Sequence, residues 1–261
     1  MKTQWMMGFA CFTMLVLCLS VFTGTAEATV VWQDNFDDGN YDGWTILGYN
    51  STRDPVAGNF SATSGMLTSL DDDANIARHD STTSVGTWSF DLFVPDEADG
   101  LGAIDVMFMS NGTRPYPEYS SMTVSFEAWY DHNRFDLWEL RGNHQGVLLD
   151  YYIPSGGIEG WWHVDVSRSS GGHYWGYLNG TLIMDTVNND VTSSDYFEFF
   201  SWNVTGAALD NIVVNDTVTT PPPTTTPTTT APPPDIPYIF IAVGVAVVVL
   251  FLVAVVFLRR K

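Results

Sequence analysis

Apolar and polar residues alternate with period two over most of this chain. Trp88, Phe90, Leu92 and Val94 interleave with Thr87, Ser89, Asp91 and Phe93, and Val124, Phe126, Ala128 and Tyr130 with Thr123, Ser125, Glu127 and Trp129. Segments 135–141, 147–152, 162–168 and 196–202 read the same way. Such alternation sends successive side chains to opposite faces of an extended strand, one buried and one solvated. No segment keeps a helical period for three turns. Leu178-Asn179-Gly180-Thr181 places a two-residue hairpin signal between 174–178 and 182–185. A dozen or more short strands over 29–216 predict an all-β, two-sheet antiparallel sandwich.

The ends read differently. Residues 1–28 carry Lys2, an apolar stretch, and Ala26 and Ala28 at small-x-small spacing, the pattern of a cleaved secretory signal. Residues 236–258 hold no charge and are followed at once by Arg259, Arg260 and Lys261. About 21 residues at ~1.5 Å each match one hydrocarbon thickness, so the segment predicts a C-terminal transmembrane helix, with 259–261 as a cytoplasmic tail. Between domain and span, 217–235 contains nine Thr and seven Pro, a composition that favours an extended stalk. The expected arrangement is a single-pass protein of the cell membrane with its N-terminal domain outside the cell.

Charge narrows the partners. The exported stretch 29–235 has 29 acids against six arginines and no lysine, so nothing in it forms the cationic patch that nucleic acid requires. Both cysteines, Cys11 and Cys18, fall in the signal, which leaves burial rather than disulfides to stabilise the exported domain. Sequons at Asn50, Asn59, Asn111, Asn179, Asn203 and Asn215 permit N-glycosylation.

Three stretches carry a family resemblance. Trp161-Trp-His-Val-Asp-Val-Ser-Arg168, a Gly171-Gly172 turn and Tyr174-Trp-Gly-Tyr-Leu-Asn-Gly-Thr-Leu-Ile183 resemble a hairpin pair of laminin-G-like, concanavalin A-like jelly rolls. Asp34 to Trp44 and Ala208 to Val214 look like the first and last strands of such domains. The resemblance implies an extracellular recognition module of jelly-roll fold, often for glycans and often holding calcium. The superfamily also contains glycan-cleaving enzymes, so fold alone does not decide function.

Four groups of residues are candidates for chemistry. Asp38-Gly-Asn40-Tyr-Asp42-Gly43 repeats the first half of an EF-type loop, but Tyr49 stands where the bidentate glutamate belongs. The resemblance supplies Asp210, on the last strand, as the fourth ligand of an expected calcium ion held by Asp38, Asn40 and Asp42. Glucanases of this fold carry Glu-x-Asp-x-Glu on one strand. The nearest match, Glu127-Ala-Trp-Tyr-Asp131, separates its acids by ~13 Å, so no catalytic carboxylate motif is present in linear form. A linear pattern does not display carboxylates brought together from separate strands. His163, Asp165 and Ser167 share a strand face at ~6.6 Å spacing, too far for a nucleophile relay, and read as solvent-facing positions. Trp129, Trp138 and Trp175 lie on the more polar parity of their strands, where an outward indole stacks on a sugar ring.

These features predict a non-catalytic surface module that binds carbohydrate or a cell-surface partner with calcium support. A tethered glycan hydrolase or lyase is the second expectation, and a structural envelope component the third.

Overall fold

The computed structural model describes residues 28–49, 55–96, 102–111, 122–141 and 145–221. The expected signal, apart from Ala28, the expected span at 236–258 and the sequon at Asn50 lie outside them. Among the described residues no helix is long and apolar enough to cross a membrane.

Sixteen strands run in chain order. The first six are β1 (Val30–Asp34), β2 (Trp44–Tyr49), β3 (Pro55–Val56), β4 (Phe60–Ser61), β5 (Leu67–Ser69) and β6 (Ala74–Asp80). The next five are β7 (Gly86–Val94), β8 (Ala103–Ser110), β9 (Thr123–Trp129), β10 (Arg134–Arg141) and β11 (Gln145–Tyr152). The last five are β12 (Gly160–Arg168), β13 (His173–Leu178), β14 (Thr181–Val187), β15 (Tyr196–Trp202) and β16 (Ala208–Asn215). They form two antiparallel sheets of eight strands. The first has the order β14-β13-β12-β7-β16-β5-β4, with β1 also against β16; the second has the order β11-β10-β9-β8-β15-β6-β2-β3. Consecutive sheet neighbours are often far apart in sequence, as expected of a jelly roll.

The period-two pattern decides which face is buried. On β7, Trp88, Phe90, Leu92 and Val94 are fully buried while Ser89, Asp91 and Phe93 are half-buried. Trp88 meets Phe108 of the second sheet at 5.0 Å between ring centroids, and Phe90 meets Phe126 and Phe197 at 6.3 Å each. Each buried aromatic of this kind contributes about 2–3 kcal/mol of transfer free energy, which replaces the disulfides the domain lacks. The Asn179-Gly180 turn is as expected: both residues have positive φ, 49° and 76°, and Leu178 pairs directly with Thr181.

The sandwich is closed along one seam. The edge strands β11 and β14 meet across it, where the Asp185 amide donates to Asp150 Oδ2 at 3.0 Å and the Thr186 hydroxyl to the Leu149 carbonyl at 3.4 Å. Within the first sheet the first and last strands pair, the first being Val30–Asp34 and not the Asp34–Trp44 stretch that the resemblance pointed to, and their ends are tied together. Thr29 N donates to Asp216 Oδ1 at 3.0 Å and Asp216 N to the Thr29 carbonyl at 3.1 Å. The chain stays attached beyond Asp216. Thr87 Oγ1 donates to the Thr217 carbonyl at 2.7 Å and accepts from Thr219 N at 3.0 Å, so the compact unit extends to Thr220.

Candidate functional site

Register on the second sheet sets the site. Asp105 on β8 pairs with Glu127 on β9, and Glu127 pairs with Asp136 on β10. All three point away from the core, because their neighbours Ile104, Val106, Phe126, Ala128, Phe135 and Leu137 point into it. The row continues to Phe200 on β15 and Tyr151 on β11. On one side lies a second row, Trp202, Ala103, Trp129 and Arg134; on the other a third, Glu198, Met107, Ser125 and Trp138. Three carboxylates therefore converge from separate strands, the arrangement that no linear motif reveals. Of Glu127 and Asp131, too far apart in linear form for a catalytic pair, only Glu127 joins the row; Asp131 lies in the short 3-10 turn after β9.

The flanking indoles lean over this row. Trp129 and the level of Trp138 are four residues apart along β9, about 13 Å, yet their ring centroids stand 6.2 Å apart at 53°. Trp138 Nε1 donates to Asp136 Oδ2 at 3.1 Å. Arg134 ion-pairs with Asp136 at 2.7 Å and lies over the Trp129 and Tyr151 rings, at 5.9 and 5.2 Å from the centroids. The roof accounts for burial: Asp105 is 5% exposed and Asp136 0%.

Burial penalises the ionised form of each acid. It pushes Asp105 up to about 7, with the charge of Asp136 adding to the rise while the nearby Ser125 hydroxyl opposes it. Glu127 is raised well above its ordinary value by burial and then by the charges of Asp105 and Asp136. Asp136 is raised by burial too, against the pull of Arg134 and Trp138. Groups so placed hold protons at a pH where exposed carboxylates have lost them.

Trp129 and Trp138 thus sit together at the row. Trp175 does not: it lies on β13 of the other sheet, 9% exposed and stacked on His173 at 4.1 Å. Trp202, 46% exposed, was missed, although it has the same parity as Glu198 on β15 and its strand reads as alternating.

Two of the expected calcium ligands, Asp38 and Asn40, are engaged locally. Asp38 Oδ1 accepts from Asn40 N at 3.1 Å and Asn40 Oδ1 from Asp42 N at 2.8 Å, so both oxygens shape their own turn. Asp210 is raised by burial and by the charges of Asp91, Asp37 and Asp34. Among the described residues no three His, Cys, Asp or Glu side chains stand close enough to hold a metal, so Asp38, Asp42 and Asp210 do not form a carboxylate cage.

The His163, Asp165 and Ser167 alignment also resolves. His163 Nδ1 contacts Asp91 at 2.6 Å and its Nε2 Asp165 at 3.5 Å. Ser167 is not solvent-facing as expected but fully buried, 2.8 Å from the Thr87 hydroxyl, because Thr217 and Thr219 are held over that spot. Of the described sequons, Asn179 is exposed at its hairpin tip and Asn59 is exposed with Nδ2 on Asp71. Asn111, Asn203 and Asn215 are half-buried.

No protein-family model matches the chain, and no curated protein does. Solved structures do. A Bacillus subtilis protein of unknown function with a galectin-like fold is similar at TM-score 0.55 and 12% identity, covering 74% of this chain and 100% of its own. A laminarinase from Flavobacterium sp. UMI-01 is similar at 0.52 and 13%, covering 72% and 100%. A Bacillus licheniformis β-glucanase is similar at 0.50 and 13%, covering 74% and 99%. At these identities the likeness is one of fold: the chain is a two-sheet sandwich of the galectin-like, concanavalin A-like kind.

Proposed function

We propose that the outer face of the second sheet binds carbohydrate, on a domain exported and tethered at the cell surface. The observation that carries the reading is the pair of half-buried indoles, Trp129 and Trp138, leaning over a carboxylate row. Aromatic faces stack on sugar rings, and adjacent carboxyls accept from or donate to sugar hydroxyls. The fold neighbours named as glucanases agree with a glycan ligand. A glycan array followed by calorimetry tests it: binding that Trp129→Ala or Trp138→Ala weakens about tenfold supports the reading. No binding to any glycan leaves the structural envelope role.

A second reading, glycan hydrolysis, is favoured by one specific feature. Residues directly opposite on adjacent strands hold their Cβ atoms ~4.5–5.5 Å apart, near the ~5–5.5 Å of a retaining carboxyl pair, and Asp105 and Glu127 are such residues. A carboxyl that keeps its proton near neutrality suits a general acid. Binding ranks first because burial raises both Asp105 and Glu127, whereas a retaining pair needs one of the two ionised as the nucleophile. Turnover of a polysaccharide panel that Glu127→Gln abolishes reverses the ranking.

Calcium belongs to the proposal through the crowding of Asp34, Asp37 and Asp91 on Asp210. Side chains alone do not complete a shell there, so an ion also needs backbone oxygens. An unchanged melting temperature at ~1 mM calcium removes it.

A further inference from the structure

The row gathers more carboxyl groups than its surroundings answer with positive charge, and burial without a cation beside them keeps those groups protonated. Arg134 is the one guanidinium paired with Asp105, Glu127 and Asp136 among the contacts of the described residues, and it is bonded to Asp136. Arg78, two strands from Asp105, is taken by Glu198 through Nη2 at 2.5 Å and Nε at 2.6 Å. The exported stretch offers no lysine. Beside the row, the Ser125 hydroxyl is fully buried on the same face of β9, two residues from Glu127; it lies near Asp105 but makes no hydrogen bond of good geometry. A buried hydroxyl whose hydrogen bonding is incomplete favours a ligand that brings a donor, so the site has room for a polar group as well as for positive charge.

From these observations we infer that the face takes a glycan bearing free amino groups, a glucosamine-type oligosaccharide. Its ammonium groups meet the Asp105–Glu127–Asp136 row while its rings lie on Trp129 and Trp138. The inference rests on the carbohydrate-binding reading above. An ammonium has three donors and no acceptor, which suits carboxylates and a serine oxygen together. A uronate or sulfated sugar brings like charge into a desolvated site, and a neutral glucan leaves the excess unanswered. The acidic exterior also draws cations toward the domain over long range.

Calorimetry on the full-length chain in detergent micelles, at physiological salt, tests this with three tetramers: glucosamine, N-acetylglucosamine and tetralysine. The two sugars share ring and linkage and differ in charge. The expected result is that the amino sugar binds at least tenfold more tightly than the acetylated one and than tetralysine. Trp129→Ala, which leaves every charge in place, should weaken it about tenfold, and Glu127→Gln, or Asp105→Asn where that variant melts early, should narrow the preference. Equal or tighter binding of the acetylated sugar, or of a neutral β-glucan tetramer, overturns the amino-sugar inference and leaves the glycan face standing. Tetralysine binding as well as the amino sugar, indifferent to Trp129→Ala, reduces the effect to bulk charge and overturns it too. If no sugar binds, both readings fall.

Discussion

Asp105 makes the acidic row measurable without any ligand. Its carboxyl rises from 3.8 to about 7 on folding, chiefly through burial, so between those values the folded chain holds more protons than the unfolded one. Stability therefore falls as pH rises from about 4 to about 7 and levels off above. Asp105→Asn removes the ionisation and should melt several degrees above the parent at pH 8 while matching it at pH 4, read by circular dichroism. Equal melting at both values would show that the acid is better hydrated than its surroundings imply. Parity along β9 and β10 was enough to send Trp129 and Trp138 outward. It was silent about Asp105 and Asp136, because what unites them with Glu127 is inter-strand register between segments distant along the chain, which no local pattern encodes. Trp175 shows the complementary weakness: outward parity does not say which sheet a strand joins.

Among the elements, the strands were legible and their order was not. Alternation marked β7, β9, β12 and β15 because apolar residues recur at their core-facing positions, whereas the short β3, β4 and β5 are too brief to show a period. Arg168 holds one junction between elements. On β12, and 2% exposed, it donates to Tyr174 Oη at 2.8 Å, Ser84 O at 2.7 Å, Asn189 Oδ1 at 3.0 Å and Val191 O at 2.9 Å. Burial pushes the Tyr174 hydroxyl up to about 12, so it remains an un-ionised acceptor for the guanidinium. Arg168→Ala strands several of these acceptors and should cost about 3–5 kcal/mol in urea unfolding. Gly86 holds another junction. It sits at φ 148°, and a Cβ there would lie 2.0 Å from the Asn215 carbonyl oxygen, so Gly86→Ala should separate β7 from β16 and cost about 3 kcal/mol. A denaturation midpoint unchanged by Gly86→Ala would mean that the two strands part without consequence.

For the whole molecule, composition marks the beginning of the Thr/Pro stretch at Thr217, and the hydrogen bonds of the folded unit run a few residues past it. Thr217 and Thr219 have the composition of a stalk and the hydrogen bonds of a domain. A fragment from Thr29 to Thr220 should accordingly melt a few degrees above one ending at Asp216, which loses the Thr87 contacts and uncovers Ser167. The stitching of β11 to β14 matters in another way. Strand margins with idle amides recruit matching margins from other molecules, and that hazard grows wherever many copies stand shoulder to shoulder. Here the Asp185 amide is capped by Asp150, and Thr186 reaches the Leu149 carbonyl. Two margins that would each have invited a neighbour are bridged within the same molecule, so crowding need not end in fibres.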